Sequence, residues 1–260
     1  MKPVVLITGA SSGIGSALAK VFAAHGHELA LVARRQDRLE ALADEIAATG
    51  RPRPTVFTAD LERREAASII AAELSSQGLE PAFVVNNAGF GLSGAATALG
   101  RDEQLAMIDV NVRALTELSL MFIDSVARHR GGILNVASLA AFLPGPGMAV
   151  YYASKAYVLS FSEALHRELS GLGVRVTALC PGAVPTEFQS RAGLSLPAAA
   201  RMLELSAERV AQIGYDAFMA GQRVVIAGTG NRLAASFMRL FPHALLLRLV
   251  DQGRAADATK

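Results

Sequence analysis

Thr8-Gly9-Ala10-Ser11-Ser12-Gly13-Ile14-Gly15 follows the apolar run Val4–Thr8 and leads into a helix-patterned stretch at 14–25. A strand, a glycine-rich turn and a helix in that order open a βαβ unit. Glycines at 9, 13 and 15 let the backbone turn tightly and approach a ligand closely. The helix N-terminus adds unpaired N–H groups and a partial positive charge, which suits a pyrophosphate. The turn therefore reads as a nucleotide-binding loop formed by Gly9, Ser11, Ser12, Gly13, Ile14 and Gly15. An ordinary glycine-rich βα turn is the alternative, and the spacing differs from G-x-G-x-x-G.

The same alternation continues along the chain. Glu28–Ala33, Thr55–Ala59, Ala82–Asn86, Gly132–Ala137, Val174–Leu179 and Arg223–Ala227 read as further strands. Helical stretches lie near 36–48, 63–77, 102–129, 151–170 and 207–220. Strands alternating with helices of this length imply right-handed crossovers and a parallel sheet buried on both faces. The 260 residues suit one α/β domain, with no repeat or low-complexity linker. Segment 186–206 reads as an insertion over the carboxyl edge of the sheet, where ligands bind in such folds. Segment 229–260 is a C-terminal tail, apolar over Leu233–Val250 and carrying Arg232, Arg239 and Arg248.

Composition excludes several classes. Apolar residues make up 52% of the chain and charged residues 18%, which is an interior-rich globular protein rather than a disordered one. A formal charge of +2 without a basic stripe gives no case for nucleic acid. The single cysteine, Cys180, has no local basic partner and reads as a small core residue. One cysteine, and a strand that begins at once, point to a cytoplasmic protein without a signal peptide. No apolar run reaches the ~18 residues of a membrane span. The tail packs on its own pocket or a second subunit, or touches a membrane peripherally. No metal-ligand pattern is present.

Polar residues gather at the predicted carboxyl strand ends. Arg34 and Arg35 follow the second strand, where an arginine accommodates the 2′-phosphate of NADP and an acid would bind the ribose of NAD. Arg34 thus argues for NADP(H) over NAD(H), with Arg35 and Ser12 as helpers; a solvated helix-start charge is the alternative. Asp60, beside Leu61, follows the third strand and could accept from an adenine amino group, cap the next helix, or do both. Asn86-Asn87-Ala88-Gly89 ends the fourth strand and needs buried partners, from backbone or a ribose. Asn111 is a poor helix former in mid-helix, so it either faces solvent or serves a hydrogen-bond network. Ser138 ends the fifth strand, and Pro181-Gly182-Ala183-Val184-Pro185-Thr186 follows the sixth. Tyr151 and Lys155 are four residues apart on a predicted helix and so share a face. A cation there is expected to pull the phenol from its usual ~10 toward the working range.

In this order, these pieces resemble the short-chain dehydrogenase/reductase family over residues 4 to about 227. The resemblance implies a Rossmann-type, doubly wound parallel sheet of seven strands, order 3-2-1-4-5-6-7, with helices on both faces. It implies hydride transfer to or from nicotinamide. Ser138 and Tyr151 would hydrogen-bond the substrate oxygen, with Tyr151 as general acid/base. Lys155 would tune Tyr151 and hold the nicotinamide ribose. Asn111 would anchor a water that links the lysine to solvent. Asn87, Ala88 and Gly89 would complete the cofactor site, and Pro181, Gly182, Val184 and Thr186 would position the nicotinamide ring. A homodimer or homotetramer is implied as well. Phe90, Leu92, Ala140–Met148 and parts of 187–205 form the expected substrate wall, which favours a small apolar aldehyde, ketone or alcohol. The rivals are a 3-oxoacyl-thioester reductase and a non-catalytic NADP(H) sensor.

Overall fold

The computed structural model describes residues 1–193 and 201–240, with the side chains of 239 and 240 left aside. The readings for 194–200 and for the tail beyond 240 lie outside the described residues. Seven strands form one parallel sheet in the order β3-β2-β1-β4-β5-β6-β7, as expected. They are β1 (Lys2–Thr8), β2 (Leu29–Ala33), β3 (Thr55–Thr58), β4 (Leu79–Asn86), β5 (Gly132–Val136), β6 (Arg175–Cys180) and β7 (Val224–Ile226).

Side-chain alternation along β1 shows why both faces must be covered. Val4 and Leu6 enter one apolar cluster with Ala30, Val32, Val84, Ile133 and Val176. Val5 and Ile7 enter the opposite cluster with Leu29, Leu31, Val85, Leu134 and Leu179. A period of two with apolar residues at both phases leaves no solvent face. Helices α3 (Ala66–Ser76) and α7 (Ala149–Leu169) contribute to the first cluster. Helices α1 (Gly13–Ala24) and α2 (Gln36–Ala48), with the helix Ala207–Met219, cover the second.

The expected helix at 102–129 is not continuous. It runs as α4 (Arg101–Ile108), a π-helical segment (Asp109–Ala114), α5 (Leu115–Met121) and α6 (Ile123–Arg128). The wider π turn rotates Asn111 fully into the interior. Helix α3 begins at Ala66 rather than 63, and Glu65 rather than Asp60 occupies its N-cap position. Asp60 instead accepts from the Glu62 N–H within the preceding turn, which removes the capping role considered for it. Segment 186–193 contains a short helix, α8 (Glu187–Arg191). The start of the apolar tail is a helix over Thr229–Leu240, which buries Asn231 and Ala235 and exposes Leu233 and Phe237. Among the described residues, no helix is long and apolar enough to cross a membrane.

A buried polar chain ties the centre of the sheet to its helices. Asn86 Nδ2 donates to Ser119 Oγ and Asn135 Oδ1, both at 2.9 Å. Asn135 Nδ2 donates to Ser162 Oγ on α7, also at 2.9 Å. Asn86 therefore serves the scaffold and not a ribose. Replacing Asn86 by Ala leaves Asn135 Oδ1 and Ser119 Oγ without that donor inside the core. Urea unfolding of this variant should show a loss of about 1–3 kcal/mol, the range for orphaned buried polar groups.

Candidate active site

A groove of about 830 Å³ lies at the carboxyl ends of β1, β4, β5 and β6. Its floor begins at the glycine-rich turn. Gly9 and Gly13 have φ of +65° and +57°, a region side chains rarely enter. A Cβ on Gly15 would lie 2.3 Å from both Asn87 Nδ2 and Gly9 O, so no side chain fits there. Across the groove, a Cβ on Gly13 would lie 3.2 Å from Thr186 Cγ2. Asn87 holds the two strand ends together by donating from Nδ2 to Thr8 O (3.0 Å) and Gly9 O (3.2 Å). Thr8 Oγ1 answers by accepting from the Asn87 and Ala88 N–H groups, each at 3.1 Å.

The structure brings nearly all the expected cofactor residues to this groove. Gly9, Ser11, Ser12, Gly13, Ile14, Arg34, Arg35, Asp60, Leu61, Asn87, Ala88, Gly89, Pro181, Gly182, Val184 and Thr186 line it. Gly15 sits just beneath, against Gly9 and Asn87. The two arginines exchange emphasis. Arg34 turns to Glu62 Oε1 at 2.8 Å, with Asp60 Oδ1 at 3.9 Å. Arg35, the expected helper, is the one on the loop. Its Nη2 donates to Ser12 Oγ (2.9 Å) and Ser11 Oγ (3.1 Å).

Arg113 in the π segment fastens the loop after β3. It donates to Leu61 O and Glu62 O and pairs with Asp109 and Glu117. The same segment points Asn111 inward. Asn111 Nδ2 donates to Phe90 O (2.9 Å) and Ser154 Oγ (3.0 Å), and Oδ1 accepts from Phe90 N (3.1 Å). Of the two readings considered for Asn111, the network is the one observed. A Cβ on Gly89 would lie 2.9 Å from Asn111 Oδ1 and 3.4 Å from Lys155 Nζ, so the glycine lets these groups converge.

Tyr151 and Lys155 do share one face of α7, with the ammonium 6.0 Å from the phenol ring centre. Both side chains are buried. Lys155 Nζ donates to Val136 O at 2.8 Å. The Tyr151 hydroxyl is hydrogen-bonded with Ser138, whose Oγ also accepts from Ala140 N. The expected lowering of the tyrosine is not observed. Burial pushes the phenol up to about 12, with the Ser138 hydrogen bond pulling the other way and Tyr152 reinforcing the rise. Burial also pulls Lys155 down to about 8. Desolvation disfavours the charged form of each residue and is the largest cause of both shifts.

The substrate end differs in detail from the expected wall. Phe90, Ala140, Met148, Tyr152 and Phe188 line the groove. Leu92 does not; it borders a small void beneath, and Phe142 is buried in a separate apolar cluster. Phe188 stands 5.4 Å from Tyr151, ring centre to ring centre. Arg191, one turn on, covers the Phe90 ring at 5.2 Å. Glu187, Phe188 and Arg191 carried no signal in the sequence beyond lying in the segment after the sixth strand. Asn231 was also missed: it donates to Ala227 O (2.8 Å) and Leu203 O (3.2 Å) while packing against Gly182.

The family model for short chain dehydrogenases matches residues 3–195. This chain belongs to that family. An NADP-dependent 3-hydroxy acid dehydrogenase, YdfG, from Salmonella typhi is 39% identical, over 72% of this chain and 75% of its own length. The solved structure of a short-chain dehydrogenase from Sphingobium yanoikuyae in complex with NADPH is 32% identical. It has a TM-score of 0.79, covering 98% of this chain and 96% of that one. A bulky-bulky ketone specific alcohol dehydrogenase from Comamonas testosteroni is 28% identical. Its TM-score is 0.75, covering 100% of this chain and 94% of that one. The family acts at CH–OH and C=O groups, and this chain is an oxidoreductase of that kind.

The lysine gives this site a pH signature. Its folded pKa of about 8 lies below the ordinary 10.5, so between these values the unfolded chain binds more protons. Stability contributed at this position therefore rises with pH across that window. Thermal melts should show wild type gaining on Lys155→Met from pH 8 to 10, with the difference flat below pH 7.

Proposed function

We propose that the protein is an NADP(H)-dependent reductase/dehydrogenase for an apolar ketone or aldehyde and its alcohol, with Tyr151 as general acid/base. The observation that carries this reading is the convergence of Ser138, Tyr151 and Lys155 at the inner end of a groove whose outer end holds Ser11, Ser12 and Arg35. The glycine floor suits a pyrophosphate because side chains are absent where backbone must touch it. Bound nicotinamide supplies or accepts the hydride at the carbonyl carbon. The Ser138 and Tyr151 hydroxyls, already paired, would hydrogen-bond the carbonyl oxygen as it gathers charge. Tyr151 would then give its proton to that oxygen. Lys155, titrating near 8, would resupply the proton, and Asn111 would hold the Phe90 backbone and the Ser154 hydroxyl around it. With its pKa raised to about 12, Tyr151 is held as the neutral phenol near neutral pH, the form that can donate a proton to the carbonyl oxygen.

Phe90, Met148, Tyr152 and Phe188 support an apolar substrate. The likeness to a bulky-ketone enzyme over the full chain points the same way. One feature favours a second reading: Arg191 at the groove, together with the 3-hydroxy acid relative, would suit a carbonyl compound bearing a carboxylate. A 3-oxoacyl thioester has no such support here. A homo-oligomer in the cytoplasm belongs to the same proposal. Exposed Leu105, Ile108, Leu120 and Met121 along α4 and α5 offer the apolar surface for it.

Tyr151→Phe should lower turnover by about 10²–10⁴-fold, the scale of general acid catalysis, with NADPH binding kept. Unchanged turnover would exclude Tyr151 as the acid, and a carbonyl screen with no NADPH oxidation at all would favour the sensor. Arg35→Asp should move the NADPH/NADH preference further toward NADH than Arg34→Asp does, read from kcat/KM with each cofactor.

A further inference from the structure

Glu187 holds the arginine that the proposed cofactor needs. It is the first residue of α8, directly after Thr186. Its Oε2 accepts from Arg35 Nη1 at 2.8 Å, and its Oε1 accepts from Arg38 Nη1. Arg35 meanwhile donates from Nε and Nη2 to Ser11 Oγ and from Nη2 to Ser12 Oγ. A continuous polar strap, Glu187–Arg35–Ser11/Ser12, therefore spans the groove from the β6 side to the β1 side. Ser11, Ser12, Arg35 and Glu187 all line that groove. The two walls also approach at Gly13 and Thr186, where a Cβ on the glycine would lie 3.2 Å from Thr186 Cγ2.

An arginine with two serine hydroxyls is a donor set for a phosphate. In this structure a carboxylate already engages it. The paired arginines hold Glu187 down at about 2, so it stays an anion at every pH at which the protein would work. Two anions on one guanidinium repel. A phosphate dianion on Arg35 would thus weaken or displace Glu187, and uncharged Arg35 donors are not available to spare either one.

We propose that Glu187 is an internal competitor for the 2′-phosphate of NADP(H), and so a residue that sets cofactor specificity by holding NADP(H) affinity down. The idea rests on the NADP(H) reading above. NADH, with no phosphate at that position, does not compete with Glu187. Glu187 also borders the substrate end. The next residue, Phe188, packs on Tyr151, so Glu187 stands next to a residue of the proposed substrate wall.

The test is equilibrium binding to the full-length protein, wild type and Glu187→Gln, by fluorescence titration. The ligands are NADPH, NADH, adenosine 2′,5′-bisphosphate and adenosine 5′-monophosphate. The amide keeps the size of the side chain and removes its charge. Glu187→Gln should bind NADPH and the bisphosphate roughly two- to fivefold more tightly, the scale of an exposed ion pair. Binding of NADH and the monophosphate should change by less. Equal or weaker binding of the bisphosphate by the variant would overturn the proposal, since Glu187 would then be positioning Arg35 rather than competing for it. Tightening of all four ligands alike would overturn it as well. Wild type that binds neither NADPH nor the bisphosphate would instead remove the cofactor reading beneath it.

Discussion

The clasp between Thr8 and Asn87 sets the position of everything else in the site. Strands β1 and β4 are neighbours in the sheet, and the chain leaves them toward opposite faces. A crevice opens wherever a parallel sheet reverses its winding in this way. Thr8 and Asn87 close its base with four hydrogen bonds between the two strand ends. The glycines at 9 and 15 exist for this clasp, because any Cβ there would strike the Asn87 amide. From that fixed base α1 begins on one side, and the Ala88–Gly89–Phe90 backbone runs to Asn111 and Lys155 on the other.

The chemistry at the inner end depends on desolvation. A buried phenol and a buried ammonium each resist charging, and their partners are neutral: a serine hydroxyl for Tyr151 and a main-chain carbonyl for Lys155. Burial thus holds Tyr151 as the neutral phenol and brings Lys155 down to about 8. Apolar walls, Phe188 and Met148 among them, line the groove beside Tyr151 and are part of that electrostatic setting.

Much of this was legible in the sequence. The seven strands follow from β-branched runs, and the order of motifs identifies the strand ends that carry polar residues. Tyr151 and Lys155 share a face because helical spacing alone requires it. Local pattern did not show how residues distant in sequence divide the work. Arg34 and Arg35 are adjacent, and only the positions of Glu62 and Glu187 decide which one bends over the loop. For Asn111 the sequence left solvent and network open, because the π segment that turns it inward has no mark in the apolar period. The tyrosine pKa was misjudged because proximity to a cation is visible in sequence and depth of burial is not.

Arg113 carries one more implication. It grips the Leu61 and Glu62 carbonyls at one end of the groove, and it belongs to the same π segment that fixes Asn111 beside Gly89 and Lys155 at the other. The two ends are therefore joined by a strut that does not pass through the ligand space. Such a strut acts as a gauge: the span between Asn111 and the Leu61–Glu62 backbone is preset by six residues of helix.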